Sequence, residues 1–533
     1  MFPLDVLTNL TRGSIAAGFL YFHTRIMDLP ASVWDAEMPN RTATAAASRI
    51  LTCAMKPVWP IIRTQSGRRI MPDPRARTQS VLFADRAQSG HELKIAIVGT
   101  GISGLSAAWL LAQHLSVTVY EAADRVGGHS HTEQVDIGAQ RIGVDTGFMV
   151  YNEPSYPNLT ALFAALDVPT AATDMSFAVS LDGGALEYAG SNLAGLLAQP
   201  SNLFKPRFWS MLNDLLRFYR VAPGHLPQMG EMSLDAYLDW AGFGRPFRQD
   251  HLYPMAAAIW STPAALVGAY PAAAFVRFCE NHGLLKLQGR PVWRTVCNGS
   301  QAYVSRLTRS YSDRILTGTP VVSIVRDQDG VVVRDAKGGR RRFDHVVVAT
   351  HADHALALLT DPTSDEQRLL STFSYAHNEA VLHTDIALMP KRRAAWASWN
   401  YLSQGGDNAR QLSVTYWMNR LQPLGVETPL FVTLNPFIEP RSDTVLRREN
   451  YAHPMSDLAS MRAQQELWTL QGRNNTWFCG SYFGAGFHED GLQSGLAVAE
   501  DLGGYNRPWT VANDSARIAR RPLSQPLGYV VAA

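Results

Sequence analysis

The sequence predicts an α/β fold that opens on a Rossmann-type βαβ unit and carries an inserted α+β region. Three observations predict it. A branched apolar run, Leu93 to Val98, leads directly into Gly99-Thr100-Gly101-Ile102-Ser103-Gly104. An Ala- and Leu-rich stretch from Leu105 to Leu115 follows, then a second run, Val117 to Tyr120. An acid, Glu121, closes that run twenty positions past Gly101.

Each element has a physical reason. Leu93–Val98 shows no polar alternation, as expected of a parallel strand buried on both faces. Gly99 permits the tight turn out of the strand, Gly101 lets backbone approach a pyrophosphate, and Gly104 lets the helix pack on the strand. Ser103 stands at the same helix start. That helix start offers unpaired N–H groups and about half a positive charge to phosphates. A carboxylate at Glu121 accepts hydrogen bonds from a ribose diol and repels a 2′-phosphate.

Later segments differ. Residues 155–270 carry Leu, Ala, Trp and Phe at helical spacing broken by Pro, which predicts a mostly helical insert. Strands return at Val321–Val325, Val331–Val333 and Val346–Ala349, with Gly338-Gly339 turning the chain before the last. Strand-like stretches recur at Leu412–Trp417 and Leu430–Leu434. Trp477–Cys479 forms a last short strand and Gly491–Leu502 a last helix. Residues 1–90 lack a sustained period of 2 or 3.6 and predict a flexible extension, with Met71 as an alternative start.

Composition narrows the class. Of 533 residues, 46% are hydrophobic and 18% charged, a globular balance that implies more than one domain. A net charge of +2 gives no nucleic-acid footprint. Cys53, Cys279, Cys297 and Cys479 form no CxxC pair, which argues against a zinc site, an iron–sulfur cluster or a disulfide framework and for a reducing, cytoplasmic setting. No apolar run reaches the roughly 20 residues a transmembrane helix needs, and Ser14–Phe22 fits the signal-peptide pattern poorly.

The run Glu121, Arg125, Gly127, Gly128, Thr132 resembles the flavin amine oxidase, protoporphyrinogen oxidase and phytoene desaturase superfamily. The resemblance implies that Arg125, Gly127 and Gly128 lie along the pyrophosphate and ribityl chain of an FAD, with Thr132 nearby. At the other end, Gly480-Ser481 and a helix opening near Gly491-Leu492 resemble the superfamily's last FAD segment, whose helix start faces the N1 edge of the flavin ring. A positive helix end there stabilises reduced flavin. Ser481 stands where many FAD proteins carry an acid. Val322 is the expected adenine contact. No cysteine occupies the position some amine oxidases use for covalent flavin, so FAD is expected to be non-covalent.

The resemblance implies an FAD-binding domain assembled from discontinuous segments: 91–154, 291–365 and 466–505. Between them lie a substrate domain that is mostly helical over 155–290 and strand-rich over 366–465, with 506–533 a tail. The stretches Asp145–Asn152, Ala258–Ser261, Trp396–Tyr401 and Gly480–Asp490 are similar to a bacterial branch associated with cyclopropane-fatty-acyl-synthase-like methyltransferases.

Three functions compete. One is an oxidase or desaturase acting on an apolar unsaturated or modified fatty acyl substrate, with a peripheral membrane contact compatible with it. The second is an amine oxidase with an aromatic cage drawn from Trp399, Tyr416 and Tyr482. The third is a non-catalytic FAD-bound partner of a lipid methyltransferase. The catalytic candidates are His488 as proton acceptor and Glu489 as the group orienting its ring; helix capping competes for Glu489. No second GxGxxG–acid unit appears, which favours oxygen or a quinone over a nicotinamide nucleotide as electron partner.

Overall fold

The computed structural model describes residues 92–260, 264–405, 411–512 and 514–521. The expected extension over 1–90 and the end of the tail lie outside these residues.

A five-stranded parallel sheet organises one part. Its order is Ile315–Leu316, Ser116–Tyr120, Lys94–Val98, His345–Val348, Thr476–Phe478. The central strand Lys94–Val98 is buried from its second residue on, which is why it reads as unbroken apolar sequence. Helix Ile102–Leu111 leaves the glycine turn and is almost wholly buried, since helix His488–Gly503 packs across it. Two glycines allow that crossing: a Cβ at Gly495 would stand 2.1 Å from the Ser103 carbonyl oxygen, and one at Gly491 would stand 2.9 Å from Ile102 Cγ2. An antiparallel sheet, Val321–Asp327, Gly330–Asp335 and Arg340–Phe343, is laid down between two strands of the parallel sheet.

The second part is a seven-stranded mixed sheet. Its order is Val445–Met455, Ser374–His383, Phe431–Leu434, Gln411–Trp417, Trp399–Gln404, Phe177–Leu181, Leu186–Ala189. Only the Trp399–Gln404 and Phe177–Leu181 pairing is parallel. Helices Pro206–Val221, Leu234–Trp240, Tyr253–Trp260 and Ala272–Asn281 pack against it. The expected helical insert therefore also supplies two strands, at 177–189. Alternation there spans too few residues to stand out against the surrounding helical pattern.

Each sheet has its own hydrophobic core. Tyr482, Phe483 and Leu492 belong to the first, while Phe487 packs against the second. The segment 481–492 thus runs along the seam between them. Among the described residues no helix is long and apolar enough to cross a membrane.

The expected tail is not loose over its described residues. Arg507 is buried and pairs with Glu500 at 2.7 Å, and Trp509 stacks on Trp109 at 5.8 Å. Its polar composition hid this, because the anchors are isolated residues without a period.

Candidate functional site

The three glycines of the turn do different work. Gly99 has φ +102, and a Cβ there would lie 2.8 Å from the Ala349 carbonyl oxygen. A Cβ at Gly104 would lie 2.0 Å from the Gly99 oxygen. At Gly101 a Cβ would meet no protein atom within 4 Å. The chain itself does not require glycine at 101; the open space before it suits a dinucleotide pyrophosphate. Ser103 is buried, its hydroxyl directed to the Cys479 thiol.

Glu121 holds this turn in shape. Its carboxylate accepts from the Thr100 N–H (2.9 Å), the Thr100 hydroxyl and the Ala123 N–H (2.9 Å). Oε1 accepts only the Ala123 N–H among these and keeps lone-pair capacity for a ribose hydroxyl. Thr319 N–H donates to the Glu121 carbonyl at 2.8 Å, bringing Val322 close in sequence to this end. Val322 sits at a bulge and is 54% exposed, an apolar side chain open to an adenine.

The Gly127-Gly128 turn lies against the first one. A Cβ at Gly128 would stand 3.0 Å from Gly101 Cα, and Gly127 N–H donates to the Thr100 hydroxyl at 3.3 Å. Arg125 Nη1 braces the turn by donating to the Gly128 carbonyl at 2.8 Å. Thr132 is part of a different knot. Its hydroxyl donates to Asp145 at 2.6 Å and accepts from Gln301 N–H at 3.0 Å. Asp145 also takes Ser300 N–H at 2.8 Å and Gln422 Nε2 at 2.8 Å. Burial pushes the Asp145 carboxyl up to about 6 despite those donors.

At the other end, Gly480 N–H donates to the Ser494 hydroxyl at 3.0 Å, and the Ser481 carbonyl accepts from Gly484 and Gly486. Helix His488–Gly503 begins three residues before Gly491, whose N–H already bonds the Phe487 carbonyl. Gly491 and Leu492 are therefore packing positions, the first against Ile102 and the second fully buried, rather than open helix-start donors. The earlier start was hidden because His-Glu-Asp reads as a polar lead-in.

The expected pairing of His488 with Glu489 is corrected. His488 stacks on Phe148 at 3.9 Å, and its Nε2 lies 2.6 Å from the Tyr303 hydroxyl, which contacts Ser130. Burial lowers the imidazole to about 3, so it is neutral at ordinary pH and a weak proton acceptor. Glu489 points away, accepting from the N–H groups of Asn158 and Leu159, each at 3.0 Å, and from Gln493 Nε2 at 3.0 Å. It caps helix Pro157–Ala165. Asp490 accepts from its own helix start at Phe487 N–H (2.8 Å) and pairs with Arg517 at 2.7 Å.

The aromatic trio does not converge. Trp399 and Tyr416 form a cross-strand pair at 4.9 Å, while Tyr482 packs on Phe373 and Phe483 in the other core. Phe487 instead meets Phe278 at 4.7 Å, His282 at 5.7 Å and Trp260 at 6.4 Å.

Sequence reading missed a histidine cluster. The His129 ring lies 5.5 Å from His453, 6.5 Å from His351 and 5.2 Å from Tyr451. Burial lowers His129 to about 3 and the other two histidines to about 4. The available signal was position: His129 follows Gly127-Gly128, and His351 follows a central parallel strand. Tyr451 also bonds His131 Nδ1 at 3.0 Å, and His131 Nε2 meets Glu133 at 2.8 Å.

The residues present fit an FAD: open space at Gly101, an acid at the second strand end, two turns in contact, and an exposed apolar side chain at Val322. When bound, the flavin accepts two electrons from a substrate.

Comparison with known proteins agrees. The model of the flavin containing amine oxidoreductase family matches residues 102–385. Amine oxidase [flavin-containing] A of Canis lupus familiaris is 48% identical over 61 residues, 10% of this chain and 12% of that protein. Coproporphyrinogen III oxidase of Mycobacterium tuberculosis is 25% identical over 299 residues, 50% of this chain and 60% of that protein. The chain thus matches less than two thirds of the length of these relatives. Wild-type putrescine oxidase bound to putrescine has a TM-score of 0.57 at 16% identity, covering 78% of this chain and all of that one. Cyclohexylamine oxidase from Brevibacterium oxydans has a TM-score of 0.55 at 16% identity with the same coverage. Both structures share the fold. With a family match across more than half its length, the chain belongs to the flavin containing amine oxidoreductase family.

Proposed function

We propose that the enzyme is an oxidase or desaturase that takes two electrons from an apolar, uncharged substrate, an unsaturated or modified fatty acyl chain, with FAD held non-covalently. The observation that carries this reading is the fate of Glu489 and Asp490. These two acids at the start of the last helix are spent inside the protein, one on Asn158 and Leu159, the other on Arg517, so neither is left for an ammonium. What borders Phe487 is aromatic: Trp260, Phe278 and His282, an apolar lining that accommodates hydrocarbon. Gly101 and Gly128 take the pyrophosphate, Glu121 the ribose and Val322 the adenine.

The amine reading is supported by the identity to amine oxidase A, which spans only 61 residues. Acid precipitation should release the flavin to the supernatant. Anaerobic mixing with unsaturated phospholipid should then bleach the flavin, while mixing with primary alkylamines should not. Bleaching by amines alone would replace the acyl reading with the amine one, and no bleaching by either would favour a non-catalytic FAD-bound subunit.

A further inference from the structure

We propose that the corner formed by Leu193, Phe204, Lys205, Lys391 and Arg393 is a docking surface for an anionic phospholipid bilayer. The inference does not rest on the substrate class.

Two short helices carry the apolar part. Leu193 opens Leu193–Leu196 and is 50% exposed; Phe204 ends Pro200–Phe204 and is 74% exposed. Side chains of this size left in water are what interfacial proteins insert at the headgroup boundary.

The cations surround them. Lys205 Nζ donates to the Ala185 carbonyl at 2.9 Å, and Arg392 Nη1 donates to the Gly184 carbonyl at 3.1 Å. Lys391 lies over the same turn, its Cδ 3.1 Å from where a Gly184 Cβ would stand. Arg393 opens the turn Arg393–Ala395 that packs against Leu193–Leu196.

The charge balance selects the partner. Among the described residues Lys205 bonds only neutral acceptors, Ala185 and Asn202. Arg393 lies over Trp396 at 3.7 Å, and neither it nor Lys391 has a carboxylate partner among the described residues. Of the nearby acids, Glu187 is buried and held by Arg392, and Asp250 is buried and held by Arg207. Asp182 is the exposed acid at the turn. Three cations against one exposed acid, beside two exposed apolar side chains, leave a net positive corner that matches an anionic headgroup layer over acyl chains.

The test is flotation of the full chain with phosphatidylcholine vesicles, with and without phosphatidylglycerol. We expect binding to the anionic vesicles only, released by high salt. Phe204→Ser with Leu193→Ser, and separately Lys391→Glu with Arg393→Glu, should each lower partitioning at least about tenfold. Leu287→Ser, at another exposed apolar residue (55%), is the control and should bind like the parent. Flavin content and circular dichroism verify that each variant is folded. Absence of vesicle binding, equal binding to neutral vesicles, retention in both corner variants, or loss in the Leu287 variant would each overturn the proposal.

Discussion

Glu489 and Asn158 are joined twice: Oε1 accepts the backbone N–H of Asn158 at 3.0 Å and its side-chain Nδ2 at 2.9 Å. One carboxylate at the start of the last helix therefore caps a helix more than three hundred residues earlier. Glu489→Gln places an amide among donors and leaves one N–H unmet. We expect a loss of about 1–3 kcal/mol of stability, with the rate of flavin reduction unchanged. Denaturant unfolding and stopped-flow reduction measure the two separately.

The glycines at 101 and 104 should fail in opposite ways. Gly101→Val meets open space in the protein, so the chain should fold to the parent's apo stability yet bind no flavin. Gly104→Ala collides with backbone at 2.0 Å and should lose about 1–3 kcal/mol of stability before flavin is considered. Flavin absorbance per folded chain, beside apo-protein melting, checks both.

Deleting residues 506–533 should destabilise the body. Arg507 is buried against Glu500, and Arg517 neutralises the buried Asp490. Arg507→Met alone leaves Glu500 with the residue 507 N–H and with Arg520 as its ion-pair partner, so we expect about 3 kcal/mol lost, the lower range for breaking a buried pair. Undiminished melting of the truncated chain would make the segment dispensable.

Acid should unfold the protein early. His129, His282 and His488 are held neutral down to about 3, whereas an unfolded histidine titrates near 6.5. The unfolded chain therefore takes up protons first. Stability from these sites is complete above about 6.5 and drains as pH falls toward 3. Asp145 runs the other way: its folded carboxyl, at about 6, lies above its unfolded value of 3.8, so it favours folding at low pH and that share is lost as pH rises through 6. One acid does not offset three histidines. Melting temperature should drop between pH 6.5 and 4, and a flat profile would contradict the burial of these rings.

A neutral His488 also predicts that flavin reduction shows no step near pH 6.5. His488→Asn should keep its rate within about threefold if the ring only packs on Phe148 and Tyr303, since no proton transfer of general-base size is removed. A rate step in the parent that vanishes in the variant would restore His488 as a proton acceptor.

The βαβ unit was legible in sequence because its determinants are local. A buried parallel strand must be apolar on both faces, and a tight turn against backbone must be glycine, so Lys94–Val98, Gly99 and Gly104 announce themselves. Gly127-Gly128, with φ of +123 and +57, does so for the same reason. What neighbouring residues do in three dimensions was not legible. His488 and Glu489 are adjacent in the chain, yet successive helix positions point about 100° apart. One therefore stacks on Phe148 and the other caps a distant helix. The meeting of His129, His351 and His453 likewise depends on two turns and a strand brought together only by folding, as does the approach of Arg507 to Glu500. Local steric and solvation rules are written along the chain; the identity of a side chain's partner is set by which separate segments the two cores press together.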